Sequence, residues 1–212
     1  MRGLDLHSVT IRAADAPLFA PLTLTVPRST VTTIVGPSGI GKSTLMDFIG
    51  GHLARGFTAS GSVILDGRDV TRLPAEVRRI GIMFQDAALF PHLSVGDNLA
   101  FGLASHVRGR VARRDAIEVA LKQAGLAGFA ERDPATLSGG QRARVALMRT
   151  LLAEPCALLL DEPFSKLDPD LRGDLRRFVF DHIRDRDIPV LMVTHDEADA
   201  AAAGGPVIPL GG

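Results

Sequence analysis

The chain contains neither tryptophan nor tyrosine, and its only aromatic residues are ten phenylalanines. Any phenyl or phenol ring that stacks on a planar ligand must come from those ten. Cys156 is the single cysteine in 212 residues, which excludes an internal disulfide. Just ahead of an apolar run, it reads as a buried, inert thiol. Neither charge sign is in excess, with 24 basic residues against 24 acidic ones. That balance removes the broad basic field with which a nucleic-acid binder advertises itself. Arg108, Arg110, Arg113 and Arg114 do cluster, but on a stretch that reads as a solvated loop entering a helix, and no nucleic-acid partner is expected. No apolar run approaches the roughly 20 residues of a membrane-spanning helix. The N-terminus lacks the basic-then-apolar layout of a secretory leader, so the expected compartment is the cytosol. Internal repeats, low-complexity tracts and long linkers are absent too; Gly51 to Gly61 and Ala198 to Gly205 read as the loosest segments.

What is present is an alternation of strand and helix patterns in a length suited to one domain. Strands are predicted at Leu4 to Thr10, Leu22 to Val26, Val31 to Val35, Ser62 to Leu65, Ile80 to Phe84, Ala157 to Asp161, Val190 to Thr194 and Val207 to Leu210. Helices are predicted at Thr44 to Ile49, Asp115 to Ala124, Ser138 to Ala153 and Asp170 to Asp185. The fold expected is α/β, with a mainly parallel sheet, an antiparallel β layer built from the early strands, and an inserted helical lobe over residues 86–153. Residues 1–85 and 154–212 then form the core around that lobe.

The run Gly36, Pro37, Ser38, Gly39, Ile40, Gly41, Lys42, Ser43, Thr44 matches the phosphate-cradling pattern G-x-x-x-x-G-K-S/T and joins a β-branched strand to a helix. Glycine is needed where φ turns positive or where backbone must approach a ligand closely. Backbone N–H groups at the helix N-terminus suit phosphate oxygens, with Lys42 reaching the β- and γ-phosphates and the Ser43 hydroxyl placed for Mg²⁺. Downstream, Ala157 to Asp161 is an apolar strand that ends in two acids. Asp161 is assigned to the Mg²⁺ shell, and Glu162, one residue past the strand, to the attacking water. His195 ends another apolar strand and reads as a sensor of the γ-phosphate; Gln85, at a third strand end, can touch Mg²⁺ or the water.

Leu137, Ser138, Gly139, Gly140 and Gln141 open a helix whose N-cap is Ser138. Two adjacent glycines at a helix N-terminus expose N–H groups and make a second anion cradle. The economical way for one triphosphate to use both cradles is a head-to-tail dimer, each ATP held by the loop of one copy and capped by Ser138 to Gln141 of the other.

Together these residues resemble the ATP-binding subunit of ABC transporters, over nearly the whole chain. On that resemblance, Gly36 to Thr44 is the Walker A loop, Gln85 the Q-loop and Leu137 to Gln141 the signature. Ala157 to Asp161 with Glu162 is Walker B, Ser165 to Asp168 the D-loop with Asp168 at the nucleotide, and His195 the switch. The stretch Ile80 to Val95 is similar to importers of the thiamine, iron and polyamine type. The resemblance implies an ATPase using ATP and Mg²⁺, a transmembrane permease as partner, a second copy of the ATPase, and indirect service to a solute-binding protein. It also implies a peripheral place on the cytoplasmic face of the membrane, with the permease docking near Gln85 to Leu93. Two departures stand out. The aromatic residue that usually stacks on adenine would fall near Arg12 and Ala13, leaving Phe19 as the nearest ring, and Lys166 replaces a small or polar D-loop residue. The alternative functions are a soluble ABC ATPase acting on DNA or ribosomes and a nucleotide-binding regulator without turnover.

Overall fold

Val190–Thr194 (β9) and Ala157–Asp161 (β8) are rich in Val, Leu, Ala and Met and buried at every position, the pattern of strands covered on both faces. A computed structural model describes residues 3–14, 16–184 and 186–211, apart from the side chains at 169 and 170. The described residues fall into two compact units, the first over Met1–Ile82, Cys156–Glu162 and Ile183–Gly212, the second over Met83–Pro155 and Pro163–His182.

In the first unit the remaining strands are Gly3–Ala13 (β1), Ala16–Pro17 (β2), Leu22–Pro27 (β3), Val31–Val35 (β4), Phe57–Leu65 (β5), Arg68–Asp69 (β6), Ile80–Met83 (β7) and Val207–Pro209 (β10). One sheet has the order β10-β4-β9-β8-β7, with β10·β4, β4·β9 and β9·β8 parallel. Parallel pairing makes β4, β8 and β9 all finish at one edge, so the residues after them, Gly36, Glu162 and His195, share that edge. The other sheet is antiparallel around the long β1, which pairs with β2, β3 and β5. β3 alternates strictly, with Leu22, Leu24 and Val26 buried, as a strand with one wet face must. The β1 register with β5 shifts between His7 and Thr10, where Ser8 has φ 47°. Gly61 faces this bulge, and a Cβ there would lie 2.6 Å from the Ser8 carbonyl oxygen. The core joins the buried faces of β1, β3 and β5 to Leu45 and Ile49 of the helix Lys42–Gly50 (α1) and to Leu159, Leu191 and Val193 of the parallel strands.

The short helix Ala75–Arg78 (α2) brings in a buried arginine that anchors α1. Arg78 donates to the Phe48 and Ile49 carbonyls, both at 2.8 Å, which caps the C-terminal end of α1.

The second unit is helical: Val95–Phe101 (α3), Arg110–Gln123 (α4), Gly139–Leu152 (α5) and Pro169–Arg184 (α6), the last running past the unit's end. Ser94 caps α3, accepting from the Asp97 N–H. Buried Asn98 accepts from Phe90 N and donates to the carbonyls of Phe90, Leu93 and Ser94, which fixes the loop ahead of α3.

The α/β class with a parallel sheet and an antiparallel sheet is as expected. Several local expectations need correction. Residues 51–61 are not all loose, because β5 starts at Phe57 rather than Ser62 and pairs with β1 back to Ala13. Residues 198–205 are mostly helix: Glu197–Ala203 (α7) is capped by Asp196 and stopped at Gly204, φ 70°. Alanine favours helix strongly enough to outweigh the short length once both ends are capped. α4 starts at Arg110, not Asp115, so Arg113 and Arg114 lie on helix, with Arg113 bonded to the Ala100 carbonyl. β7 stops at Met83, leaving Phe84 outside it, and β10 stops at Pro209. The end expected for α6 at Asp185 lies outside the described residues.

Candidate nucleotide-hydrolysis site

β4 hands the chain to the loop 36–41, and α1 begins at Lys42 without a side-chain cap. Its first N–H groups thus look for acceptors beyond the helix, as phosphate oxygens are. Gly41 sits at φ 103°, and a Cβ there would lie 2.9 Å from Leu18 Cδ1, so both conformation and space demand glycine. Lys42 folds back over the loop. Its Nζ donates to the carbonyls of Gly36 at 2.8 Å and Pro37 at 3.0 Å and lies 3.7 Å from Glu162 Oε1, with the side chain only 4% exposed.

Ser43, next along α1, donates its hydroxyl to Asp161 Oδ1 at 3.1 Å. Burial pushes the Asp161 carboxyl above the usual carboxylate range; the Ser43 bond opposes this, nearby Glu162 and Asp47 reinforce it, and Lys42 opposes it. A hydroxyl beside one buried carboxylate is the kind of donor pair Mg²⁺ uses when it keeps waters and takes its other ligands from phosphates. No group of three or more His, Cys, Asp or Glu able to hold a metal by itself occurs among the described residues. The residues present therefore fit Mg²⁺ carried with a nucleotide.

Asp161→Asn separates the two roles. The raised folded-state pKa means that ionising Asp161 costs stability at every pH above its unfolded value, in full once pH exceeds the folded value. The asparagine still accepts from Ser43 and carries no charge. The nucleotide-free variant should melt higher than the parent at pH 8, the gap closing as pH falls toward the ordinary Asp range near ~4, while Mg²⁺-supported hydrolysis is lost. Equal melting at pH 8 would refute the burial cost.

Glu162 holds the next position in an unusual way. Its N–H donates to the Val193 carbonyl at 3.0 Å, and its φ is 44°, in the left-handed region. This turn directs the carboxylate to Lys42 and to His195, whose Nδ1 is 3.1 Å from Glu162 Oε1. The β8·β9 register sets Asp161 opposite Val193, which makes Glu162 and His195 neighbours just past the strands. Thr194 Oγ1 donates to Asp199 at 3.2 Å and accepts from Asp196 N–H at 3.0 Å, bracing the segment that carries His195. This brace escaped sequence reasoning, although an Asp-capped helix start right after the strand was a usable signal. Lys42, Ser43, Asp161, Glu162 and His195 are thus brought together within the first unit.

Gln85, Leu137 to Gln141 and Asp168 belong to the second unit, whereas the loop 36–41 and Thr44 stay in the first. Ser138 caps α5 with a full capping box: its Oγ accepts from Gln141 N–H at 3.3 Å, and Gln141 Oε1 accepts from Ser138 N–H at 3.0 Å. Leu137 is buried, and its carbonyl accepts from Arg142. Gly139 has Leu167 over it, a Cβ there meeting Leu167 Cδ2 at 3.1 Å, whereas Gly140 has open space. Gln85 donates to Ser165 Oγ at 3.1 Å, a partner that sequence reasoning did not foresee. Asp168 is exposed, and its carbonyl accepts from Leu171 and Arg172 at the start of α6. Phe19 is only 5% exposed, held in the core beside Gly41. A ring this buried does not offer a face to a base.

Comparison with known proteins places this geometry in context. The family model described as "ABC transporter" matches residues 19–165. An uncharacterized ABC transporter ATP-binding protein of Escherichia coli, YnjD, is 48% identical over 199 residues, covering 94% of this chain and 91% of its own length. The Fe(3+) ions import ATP-binding protein FbpC 1 of Haemophilus influenzae is 40% identical over 97% of this chain, which spans 62% of that protein. The thiamine import ATP-binding protein ThiQ of Salmonella choleraesuis is 44% identical over 84% of this chain and 75% of its own length.

Proposed function

The chain belongs to the ABC transporter ATP-binding family, and from that membership we propose that it is the ATP-hydrolysing subunit that powers solute import through a separate transmembrane permease. One observation carries the reading: Lys42, Ser43, Asp161, Glu162 and His195 converge at the shared end of β4, β8 and β9. A regulator without turnover has no use for a carboxylate placed against both the phosphate-binding lysine and a histidine. The DNA- or ribosome-directed alternative lacks support in the balanced charge and in the import names of the relatives.

In the proposed reaction the α1 N-terminus and Lys42 bind and orient the triphosphate. Glu162 takes a proton from the attacking water as its oxygen bonds to the γ-phosphorus and the bond to the bridging oxygen breaks, giving ADP and phosphate. His195 holds the Glu162 carboxylate in line and meets the γ-phosphate. Ser43 and Asp161 would hold Mg²⁺, which supplies charge neutralisation on the phosphates. Gln85 is assigned to the metal or the water.

Two copies are proposed to act head to tail, Gly36 to Thr44 of one facing Leu137 to Gln141 of the other, with Asp168 at the same nucleotide. Residues 86–153 are assigned to the lobe that presents this signature and residues 1–85 and 154–212 to the core, although Pro163–His182 of the latter group with the helical unit. Gly140 supports the arrangement: neither φ nor a clash requires glycine there, and glycine in a helix costs about 1 kcal/mol against alanine. Something outside the chain, a nucleotide on the second copy, accounts for the bare backbone. Docked on its permease near Gln85 to Leu93, the protein sits at the cytoplasmic face of the membrane; no described helix is long and apolar enough to cross it. A solute-binding protein on the far side would deliver the cargo.

Reconstitution with the permease in liposomes tests the function. ATP-dependent uptake that fails without this chain is expected; full uptake in its absence would refute the assignment. With Phe19 buried and no tyrosine or tryptophan, kcat/KM for GTP should fall within about fivefold of that for ATP, since the missing base stacking is worth about 1–3 kcal/mol. A strong ATP preference would mean that another group reads adenine.

A further inference from the structure

In the second unit the loop after β7 and the loop before α6 are joined by two side-chain links. Gln85 Nε2 donates to Ser165 Oγ at 3.1 Å, and beside it Asp86 is paired with Lys166. Consecutive residues on one loop therefore meet consecutive residues on the other. The 165–167 backbone is itself fixed, because Arg172 donates to the Ser165 carbonyl at 3.0 Å and to the Leu167 carbonyl at 2.9 Å. Leu167 in turn lies over Gly139. Against this fixed loop, Gln85 and Asp86 are exposed and lie beyond the last ladder residue of β7.

An exposed ion pair of this kind contributes little to folding. Its effect here is local. Closing Lys166 onto Asp86 tethers the neighbouring Gln85 amide within reach of Ser165, so that bond re-forms as an intramolecular event. Opening the pair leaves the amide to exchange with water. The Ser165 bond uses one of the two amide N–H groups and fixes the direction of the amide plane, so turning the amide oxygen toward another group requires that bond to break or bend.

We propose that Lys166 and Asp86 are a positioning pair that parks Gln85 on Ser165 and sets how readily its amide is released for hydrolysis. The second half of this statement rests on the role assigned above to Gln85. Lysine at position 166, the departure noted from the sequence, gains a purpose by it.

The test uses the full chain with Lys166→Ala, Asp86→Ala, the double variant, and the exchanged pair Lys166→Asp with Asp86→Lys. The first readout is the side-chain amide NMR resonance of Gln85, assigned by its disappearance in Gln85→Ala. It should move by the same amount in both single variants, no further in the double, and back toward the parent in the exchanged pair. The second readout is the Mg²⁺ concentration for half-maximal ATP hydrolysis, which should fall roughly two- to fivefold in each single variant and equally in the double. Added salt should bring the parent toward the variants and leave the variants in place. An unmoved resonance in Lys166→Ala, or additive shifts from the single variants, overturns the pair. A moved resonance with an unchanged Mg²⁺ requirement overturns its link to hydrolysis. Unaltered hydrolysis in Gln85→Ala overturns the role of Gln85 instead, while the resonance still judges the pair.

Discussion

Glu162→Gln is expected to bind ATP as the parent does and to hydrolyse it roughly 10²–10⁴-fold more slowly, the range a positioned general base contributes. The substitution keeps side-chain length and at least one oxygen to accept from His195, so the geometry around Lys42 and His195 should survive. What disappears is a group able to take the proton of the attacking water. If the closed dimer is held by ATP and released by its hydrolysis, the variant should also collect as a stable dimer with Mg-ATP. Single-turnover kinetics and sedimentation with saturating Mg-ATP check both points. Turnover near that of the parent would remove Glu162 as the base, and a monomer with bound ATP would count against the head-to-tail dimer.

The second large effect is at Lys42. Each charge-assisted hydrogen bond to a phosphate is worth about 1.5–3 kcal/mol, so Lys42→Ala should weaken ATP binding roughly 10- to 100-fold or more and bring hydrolysis below detection. The same residue matters without nucleotide. Its ammonium bonds the Gly36 and Pro37 carbonyls and sits beside Glu162 on a nearly buried side chain. Alanine removes a donor from the half-buried Gly36 carbonyl, at a cost of about 1–3 kcal/mol, and strips Glu162 of its cation; the exposed Pro37 carbonyl keeps the Ile40 N–H and water. The nucleotide-free variant should therefore melt lower than the parent, a loss that calorimetry would detect. Unchanged melting together with weakened binding would mean that Lys42 is free until ATP arrives.

How much of this was legible in the sequence depended on the range of the signal. The ends of β4, β8 and β9 were readable because a β-branched run and two apolar runs, all largely buried, leave few alternatives for Val31 to Val35, Ala157 to Asp161 and Val190 to Thr194. The residues just past those ends followed from them. Boundaries set by tertiary contact were not readable. β5 reaches back to Phe57 only because β1 is there to pair with it, and α7 exists because Asp196 and Gly204 cap a run of alanines. Nor could pattern alone disclose pairings between distant loops, such as Gln85 with Ser165 or Arg78 with the end of α1. Phe19 shows the opposite hazard, since proximity in sequence to the phosphate loop made a core residue look available to a ligand.

The left-handed backbone of Glu162 has a consequence beyond geometry. A glutamate held at φ 44° forgoes about 1–2 kcal/mol that glycine at the same place would keep. Heat resistance and turnover are therefore opposed at this one codon: a laboratory lineage selected only for surviving high temperature would drift toward glycine or asparagine there. Such a lineage would yield robust proteins that no longer hydrolyse ATP.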